Sequence, residues 1–411
     1  MMPACMMHCS GFPTSNWAMR SDSDIAILGG GCAGLSLAMR LADSGAEGPN
    51  VVVLEGRALY APDRTWCFWD DGNARLRHLV QHRWSSVAVA DHRRRVTVDC
   101  RAAPYQMIPA AAFYAAATQT IARTSRIELA MNETVIAEPQ KEDRRWRIET
   151  STGVRYAKQI IDTRPQPRPE RESVILWQSF SGHEVTCDAA CFDPESATLM
   201  DFSSSHKGEI TFLYLLPFSK HRALIEATVF APKPLGPSEL ADRLGGLVRQ
   251  CVGEASFSVL RSEHGILPMG QATPAQNMDA TFVRAGMAGG AVRAASGFAF
   301  QRIQRWAEDC AAALLAGHPP RAHSPDPWLL RTMDGLFLRV LRARPELAPD
   351  LFFKLFAMKN SGHIIRFMSD CPTLADYAAI VSVLPAGPFL REIPRSLTVS
   401  SRRSIKGRAA G

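Results

Sequence analysis

A glycine-rich turn between a short apolar strand and a helix constrains the fold of this chain more than any other feature. Residues 24–28 (DIAIL) form an apolar run, the turn Gly29-Gly-Gly-Cys-Ala-Gly34 follows, and residues 35–42 carry apolar side chains at helical spacing. Residues 50–55 (NVVVLE) form a second, almost continuously apolar run, typical of a parallel strand that is covered on both faces. The pattern predicts a β–α–β unit.

Each glycine of this turn has a task in a dinucleotide-binding unit. Gly29 permits the tight turn, Gly31 lets the backbone approach a pyrophosphate, and Gly34 lets the helix pack closely on the strand. The helix start, which includes Ala33, presents free N–H groups to phosphates. Glu55 ends the second strand about 20 positions after the last glycine, where a carboxylate accepts hydrogen bonds from ribose hydroxyls. The unit predicts dinucleotide binding rather than a plain glycine turn.

A second glycine-rich turn helps to choose between FAD and NAD. The acid at the end of the second strand suits either cofactor. However, the first turn lies at the start of the folded chain, and a later strand and turn at 282–290 contains Gly286 and Gly289. This second turn could approach a flavin from the other side, and its alternative interpretation is an ordinary loop. We therefore expect FAD, with Gly286 and Gly289 among its contacts.

The rest of the chain predicts an α/β fold with three regions. Residues 105–122 look helical, residues 127–163 contain short strands that include 133–137, residues 176–230 alternate as in an antiparallel sheet, and the chain beyond 325 is mostly amphipathic helix. We predict a Rossmann-like FAD-binding domain, an antiparallel-sheet substrate domain and a C-terminal helical region. The predicted boundaries are an extension at 1–20, a discontinuous FAD-binding domain at 21–75, 101–165 and 262–320, a substrate domain at 76–100 and 166–261, helices at 321–395, and a basic disordered tail at 396–411.

Composition excludes several classes of protein. The net charge is +7, but the arginines are spread along the chain instead of forming the patch expected of a nucleic-acid binder. The ten cysteines form no Cys-x-x-Cys pair, so we expect free thiols and no metal site. No uninterrupted apolar run reaches the length of a membrane-spanning helix, and residues 1–18 do not resemble a signal peptide.

A series of short motifs resembles the bacterial lycopene β-cyclases, and the resemblance runs over most of residues 24–395. Each motif is only moderately specific, but their order and spacing together are highly specific. The similar segments are Asp63-Arg-Thr-Trp-Cys-Phe-Trp69, Ile161-Asp-Thr-Arg-Pro165, Trp177-Gln-Ser-Phe-Ser-Gly182, Leu199-Met-Asp201, Phe212-Leu-Tyr-Leu-Leu-Pro217, Leu224-Ile-Glu-Ala-Thr228 and Glu263-His-Gly-Ile-Leu-Pro268.

The resemblance implies a flavoprotein that closes the ψ ends of lycopene into β-ionone rings without net redox change. It implies reduced FAD, with NAD(P)H as the reductant, and it matches Glu226 to the proposed acid/base residue. An alkene is a very weak base, so the acid must keep its proton near neutral pH, as a carboxyl group in an apolar tunnel does. The alternative for Glu226 is a strand-end carboxylate that faces solvent.

Further site residues follow from the same motifs. Arg64 is either a partner of a flavin phosphate or a surface residue, and Asp162 is assigned to the cofactor site. Aromatic side chains can stabilise carbocations through their faces, and ordinary core packing is the alternative for each of them. The aromatic candidates for substrate binding are Trp66, Phe68, Trp177, Phe180, Tyr214 and Phe298.

Two positions depart from the family pattern. Ala227 replaces a carboxylate that follows the family's glutamate, which would remove a second proton-handling group near Glu226. The late Thr-Gly-Tyr turn reads Ser296-Gly297-Phe298, which keeps a hydroxyl group and an aromatic ring. These departures leave open an altered substrate or a weaker activity.

The implied partner is lycopene or a related acyclic carotenoid, which dissolves in membranes. We therefore expect a cytoplasmic protein on the inner face of the cell membrane, docked through residues 351–358 or 380–390, with internal packing as the alternative for both segments. Two other functions remain open: an FAD-dependent monooxygenase or reductase acting on another isoprenoid or aromatic substrate, and a non-catalytic flavin- or carotenoid-binding protein.

Overall fold

The structure is a computed structural model that describes residues 22–165, 174–204, 208–270 and 279–393. The predicted extension at 1–20 and the predicted tail at 396–411 lie outside the described residues. The Pro- and Arg-rich stretch after residue 165 lies partly outside them as well.

The first sheet has a parallel centre, as the β–α–β pattern predicts. Its strands are β1 (Ser23–Leu28), β2 (Val51–Leu54), β8 (Ile127–Ala130), β9 (Gln140–Glu142), β10 (Arg145–Thr150), β11 (Gly153–Asp162) and β17 (Phe282–Arg284). The strand order is β8-β2-β1-β11-β10-β9, and β17 pairs with the end of β11. Strands β1, β2, β8, β11 and β17 pair in parallel, whereas β9, β10 and the first half of β11 form an antiparallel meander.

Three helices cover one face of this sheet and bury a common apolar cluster against it. They are α1 (Cys32–Ala42), α2 (Ala110–Ile121) and α4 (Phe300–Leu315). Helix α1 begins within the first glycine turn, at Cys32, and α4 follows the second, where Gly286–Gly289 form a short 3-10 helix. The predicted strand and glycine turn at 282–290 are therefore confirmed.

The second sheet is mostly antiparallel and has the order β16-β12-β15-β14-β13-β5-β6, with one parallel pair, β13 and β5. The alternating sequences between residues 176 and 230 predict such an antiparallel sheet. Helix α3 (Pro237–Val252) packs on one face. The strands are β5 (Ser86–Ala90), β6 (Arg95–Asp99), β12 (Leu176–Cys187), β13 (Ser196–Asp201), β14 (Ile210–Ser219), β15 (Arg222–Ala231) and β16 (Phe257–Met269).

A small third sheet and the C-terminal helices cover the other face of the second sheet. The third sheet is antiparallel with the order β3-β7-β4, and consists of β3 (Thr65–Trp69), β4 (His82–Trp84) and β7 (Tyr105–Pro109). The C-terminal helices are α5 (Trp328–Ala343), α6 (Ala348–Phe356), α7 (Ser361–Met368) and α8 (Leu374–Val383), and residues 386–393 are also helical. One apolar cluster joins these layers, and the predicted helical character of the region beyond 325 is confirmed.

The structure corrects several sequence predictions. Residues 105–109 form β7 and not the start of a helix, because they pair with β3 and β4 and the helix begins only after Pro109. Residues 133–137 form no strand, since Val135 makes only an isolated bridge to Thr150. Residues 262–269, assigned to the FAD-binding domain, continue β16 of the second sheet.

The predicted membrane patch at 351–358 is also wrong in large part. Leu351, Phe352, Phe353, Leu355 and Phe356 are buried in the cluster between the second sheet and the C-terminal helices. The apolar face of α6 is therefore used for internal packing. The sequence could not decide this, because the same amphipathic spacing serves a protein core and a membrane surface.

Candidate functional site

The first glycine turn has the geometry that a phosphate-binding turn needs. Gly29 adopts a φ of +97°, in the left-handed region, and its N–H donates to the Leu54 carbonyl at 2.8 Å. A Cβ atom on Gly34 would lie 2.0 Å from the Gly29 carbonyl oxygen, so this position has no room for a side chain. The close approach of helix α1 to strand β1 therefore depends on Gly34.

Gly31 differs from its neighbours because it faces open space. It lies at the N-terminal boundary of α1, which has no side-chain cap, and a Cβ atom on it would meet nothing within 4 Å. The free N–H groups of the first helical turn and the open space above Gly31 suit an anionic ligand that approaches the backbone closely. Ala33 is buried in the same first turn.

Glu55 links the second strand to this turn. Its carboxylate accepts a hydrogen bond from the Gly30 N–H at 2.9 Å and pairs with the Arg57 guanidinium at 3.0 Å. Burial alone would raise the pKa of Glu55, but the hydrogen bonds from Arg57 and Gly30 outweigh it and hold the pKa below its usual value. The Tyr60 hydroxyl donates to the Gly30 carbonyl at 2.9 Å, so contacts with Glu55 and Tyr60 hold both backbone groups of Gly30 in place.

The second glycine turn meets the first one. Gly286 has a φ of +66°, and a Cβ atom on it would lie 3.0 Å from the Ala33 Cβ atom at the start of α1. The Gly286 N–H donates to His323 Nε2 at 3.0 Å. Burial lowers the pKa of His323 to about 4, so this imidazole is neutral and accepts the hydrogen bond near neutral pH. His323 is not among the site residues that the sequence predicts.

The remaining cofactor candidates have protein partners in this structure. Gly289 lies in the same 3-10 helix as Gly286, where a Cβ atom would meet the Arg284 carbonyl oxygen at 2.4 Å. Asp162 ends β11, is fully buried and accepts hydrogen bonds from the Arg164 guanidinium at 2.9 Å. Arg64 is exposed and donates to the carbonyls of Asp63 and His264 at 3.0 Å. The structure brings Asp162 and Gly286 near the first turn, whereas Arg64 lies beside strand β16.

Glu226 lies inside the second sheet, in a row of residues that spans four strands. The pairing places Tyr214 of β14 opposite Glu226 of β15, and Glu226 opposite Gly182 of β12. Gly182 in turn pairs with Glu263 of β16. Because Gly182 has no side chain, the two glutamates meet across it, although their strands are separated by one strand and hence by about 10 Å.

The surroundings of Glu226 favour its protonated form. The side chain is buried, with a residue exposure of 7%, and its carboxyl group hydrogen-bonds to Glu263. Burial first, and the negative charge of Glu263 second, raise the pKa of Glu226 well above its usual value, and the more distant Arg261 opposes them. The alternative of a carboxylate in solvent is therefore wrong for Glu226.

Glu263 has the opposite surroundings, because charged and polar groups hold its carboxylate. Arg261 lies two residues earlier on the same face of β16 and forms a salt bridge with Glu263 and a second one with Glu184. Thr65 of β3 donates to Glu263 Oε2 at 2.8 Å and accepts a hydrogen bond from Arg261 Nη2 at 2.6 Å. The pair thus combines one buried neutral carboxyl with one carboxylate in an ion pair.

Strand β3 carries further groups to the same place. Cys67 points in the same direction as Thr65 and hydrogen-bonds to Tyr214, and the hydroxyl groups of Tyr105 and Tyr214 lie 3.0 Å apart. Burial raises the pKa values of Cys67, Tyr105 and Tyr214, so all three are neutral near pH 7. The glutamate pair therefore lies beside two neutral groups of the third sheet, Cys67 and Tyr105, and beside the neutral Tyr214 of its own sheet.

The predicted aromatic residues divide between two faces. Phe180 and Tyr214 share the face of the second sheet that carries Glu226, and Phe298 packs against the cluster on that side. Trp66 and Phe68 point to the opposite face of β3, where their rings lie 5.3 and 4.9 Å from that of Phe300. Trp177 of β12 lies an odd number of positions from Phe180 and Gly182, so its side chain points to the opposite face of the sheet. The structure does not bring Trp66, Phe68 or Trp177 to Glu226.

Ala227 does not alter the surroundings of Glu226. It points to the other face of β15, is fully buried and packs in the cluster beneath helix α3. The expected loss of a second proton-handling group at this position is therefore wrong, because adjacent residues of a strand face opposite sides.

The second carboxyl group of the site is Glu263, which begins one of the quoted motifs but is not among the predicted site residues. Two features of the sequence are consistent with this role. Arg261 and Glu263 are two residues apart and so share a face of their strand, and Gly182 ends the motif that begins at Trp177. Their meeting depends on the strand order β15-β12-β16, which the sequence does not specify.

Within the described ranges, no group of three or more His, Cys, Asp or Glu side chains is arranged to hold a metal ion.

Comparison with protein families gives a match over most of the chain. The sequence profile of the family described as "Lycopene cyclase protein" matches residues 24–393. A lycopene beta-cyclase of Paracoccus sp. (strain N81106 / MBIC 01143) is 29% identical over 244 residues, 55% of this chain and 62% of that protein. A chloroplastic neoxanthin synthase of Solanum tuberosum is 23% identical over 325 residues, 72% of this chain and 61% of that protein. The matches thus span about three fifths of each curated relative.

Solved structures of similar fold include a monooxygenase and a flavin-dependent brominase, both at low identity. The p-nitrophenol 4-monooxygenase of Pseudomonas putida DLL-E4 has a TM-score of 0.62 and 16% identity, covering 86% of this chain and 99% of that one. The flavin-dependent brominase Bmp2 has a TM-score of 0.59 and 14% identity, covering 92% of this chain and all of the other. These likenesses show the fold, in agreement with the predicted α/β class.

Proposed function

The chain belongs to the lycopene cyclase protein family, and on that premise we propose that it is a flavin-dependent carotenoid cyclase. The reaction proposed is that of a lycopene β-cyclase, which converts ψ ends of lycopene into β-ionone rings. The observation that carries the proposal is the buried Glu226 carboxyl, whose pKa is raised well above the usual value by burial and by Glu263. Such a group supplies a proton at neutral pH without being in water.

The two glycine turns support FAD as the cofactor. The open space above Gly31, the free start of α1 and the Glu55 carboxylate suit the ADP half, and the close meeting of Gly286 with Ala33 suits a ligand that extends between the turns. Gly29, Gly31, Ala33, Gly34 and Glu55 would hold the nucleotide, with Asp162, Gly286 and Gly289 towards the flavin. When bound in its reduced, anionic form, with NAD(P)H as the reductant, the flavin supplies negative charge that stabilises a carbocation.

The protein groups then account for the movement of the proton. The Glu226 carboxyl donates its proton to a terminal double bond of the substrate, and the resulting carbocation closes a six-membered ring by bonding to a second double bond. Loss of a ring proton completes the β end, and its return to the Glu226 carboxylate restores the acid. Each ring closure adds one proton to the substrate and removes one, so the step is an isomerisation and nothing is oxidised or reduced overall.

Aromatic side chains on the Glu226 face would bind the polyene and its cation. Phe180, Tyr214 and Phe298 are the candidates that the contacts support, because they lie on that face or against its cluster. Trp66, Phe68 and Trp177 are better assigned to packing.

Because a carotenoid substrate dissolves in membranes, we also expect the protein to contact a membrane surface. Of the helices that the structure describes, none combines the length and apolar character needed to cross a bilayer. Apolar side chains at the C-terminal helices remain exposed, namely Trp328, Leu374, Val381 and Leu390. We expect this group, and not residues 351–358, to lie at the interface, and co-sedimentation with anionic lipid vesicles tests it.

Purified protein incubated with lycopene and chemically reduced FAD, without oxygen, tests the proposal. Formation of β-carotene or of a product with one β ring supports it. A requirement for oxygen, with hydroxylated product, would instead indicate a monooxygenase. If flavin and carotenoid bind but lycopene is recovered unchanged under every condition, the protein is a non-catalytic binder and the proposal fails.

A further inference from the structure

Among the residues that the structure describes, Glu263 is the charged carboxylate that contacts the proposed proton donor, and the fold holds it in place from several sides. Its salt bridge with Arg261, the hydrogen bond from Thr65 and the gap at Gly182 all direct it towards Glu226. Its exposure is only 5%. A buried carboxylate with this many partners on different strands has a defined position.

Gly182 makes the contact between the two glutamates possible. A Cβ atom at this position would lie 2.7 Å from Glu226 Cγ and 3.2 Å from Glu226 Oε1. The Glu226 side chain therefore lies directly over the glycine, on the path to Glu263. With any larger residue at 182, the two carboxyl groups would be separated by a side chain.

Taking the proposed function as its basis, we propose that Glu263 is a positioning residue for the proton donor. Its carboxylate, held by Arg261 and Thr65, accepts a hydrogen bond from the Glu226 carboxyl across Gly182. It thereby fixes the single shared proton on Glu226 and orients it. Glu263 does not itself touch the substrate in this account; it acts through Glu226.

The charge arrangement favours this division of roles. Arg261 contacts Glu263 directly, so the single negative charge that the two glutamates share is most stable on Glu263, beside the guanidinium. Arg261 also pairs with Glu184, which forms a further salt bridge with Arg222 near the surface. The other titratable groups that face Glu226 are Cys67, Tyr105 and Tyr214, and burial keeps them neutral. Glu263 is therefore the group whose removal most changes the field at Glu226.

The test replaces Glu263 by glutamine, which keeps the shape and removes the charge. Ring formation by the wild type needs protonated Glu226 and is lost as pH rises through the pKa of that group. In E263Q the repelling charge is gone and Arg261 remains, so the alkaline limit of activity moves to lower pH by about one unit or more. Glu128→Gln is the matched control, since Glu128 also pairs with an arginine, Arg155, but lies in the first sheet.

A second variant and a second readout keep the test decisive. In E263D the charge remains but is withdrawn by one methylene, so the shift has the same direction and a smaller size; this variant decides the matter if E263Q does not fold. The infrared band of the protonated carboxyl, identified by its loss in E226Q, is titrated in the same proteins without substrate. An unchanged titration of this band in E263Q and E263D overturns the role of Glu263, even if the wild type proves to make no cyclic product. Absence of cyclisation by the wild type overturns the proposed function alone.

Discussion

Gly182 lies directly opposite Glu226 in the second sheet, and a Cβ atom on Gly182 would come within 2.7 Å of Glu226 Cγ. This relationship makes the glycine a part of the proposed acid site, although it has no functional group. It also gives a prediction that does not require altering any carboxylate.

We expect Gly182→Ala to lower the rate of ring formation at least tenfold while FAD binding is kept. The added methyl group displaces the Glu226 side chain from its contact with Glu263, and overpacking of this kind costs about 1–3 kcal/mol of stability. Product formation under reducing conditions and thermal unfolding measure the two effects. Gly246→Ala is the control, because a Cβ atom there meets nothing within 4 Å. An active Gly182→Ala protein would show that the Glu226 position does not matter.

Gly31→Ala separates cofactor binding from folding. A Cβ atom on Gly31 meets no protein atom within 4 Å, and the residue has an ordinary negative φ of −80°, so the variant should fold with unchanged stability. If a pyrophosphate approaches the backbone there, the methyl group lowers FAD affinity about tenfold or more, a loss of about 1.4 kcal/mol. Quenching of flavin fluorescence measures the affinity. Equal affinities for the variant and the wild type would place the cofactor elsewhere.

Glu226 should make the folded protein less stable as pH rises. Its pKa is raised in the folded state, so between the unfolded and folded pKa values the unfolded chain releases a proton that the folded protein keeps. Stability then falls with rising pH by up to about 1.4 kcal/mol per pH unit in that window. Replacing Glu226 by glutamine removes this contribution. In denaturant titrations, the free energy of unfolding of E226Q should therefore rise relative to that of the wild type as pH increases from about 4. Parallel curves for the two proteins would exclude a raised pKa.

The buried ion pair between Arg293 and Asp334 should matter much more than a surface pair. Asp334 on α5 accepts hydrogen bonds from the Arg293 guanidinium at 3.1 and 3.2 Å, and both residues are almost fully buried. Asp334→Ala removes the nearer of two carboxylate partners of the buried Arg293 guanidinium, since Asp370 also lies 3.6 Å from it. We expect a loss of about 3 kcal/mol in the free energy of unfolding. Asp350→Ala, which breaks an exposed pair with Arg94, should cost about 1 kcal/mol or less. Similar losses in the two variants would contradict this account of the C-terminal helices.

The sequence predicts the fold class and the first glycine turn well because both depend on local patterns. The order of strand, Gly29, Gly31, Gly34 and helix is a short-range signal, and the structure confirms the unit. The helix predicted at 105–122 was wrong in its first turn because the pairing of Tyr105–Pro109 with two other strands overrides local preference.

The candidate site was only partly predictable, because it is built by contacts between distant segments. Glu226 could be selected from its motif, but its partner Glu263 becomes evident only when β12 separates β15 from β16 and contributes a glycine between them. Trp66 and Phe68 were selected for their rings, although alternation in β3 directs them away from Glu226. Facing direction and strand order are properties of the whole sheet, and no single motif contains them.

The most direct test of the proposed chemistry follows the proton itself. Wild-type protein exchanged into D2O and kept in molar excess over lycopene, with reduced FAD and without oxygen, should yield cyclic carotenoid with deuterium in the new rings. In this first turnover the proton added by Glu226 comes from an exchangeable group. E226Q should bind flavin and yield no ring. Rings that form without deuterium, or rings that form at the wild-type rate in E226Q, would contradict the claim that the buried Glu226 carboxyl starts the reaction.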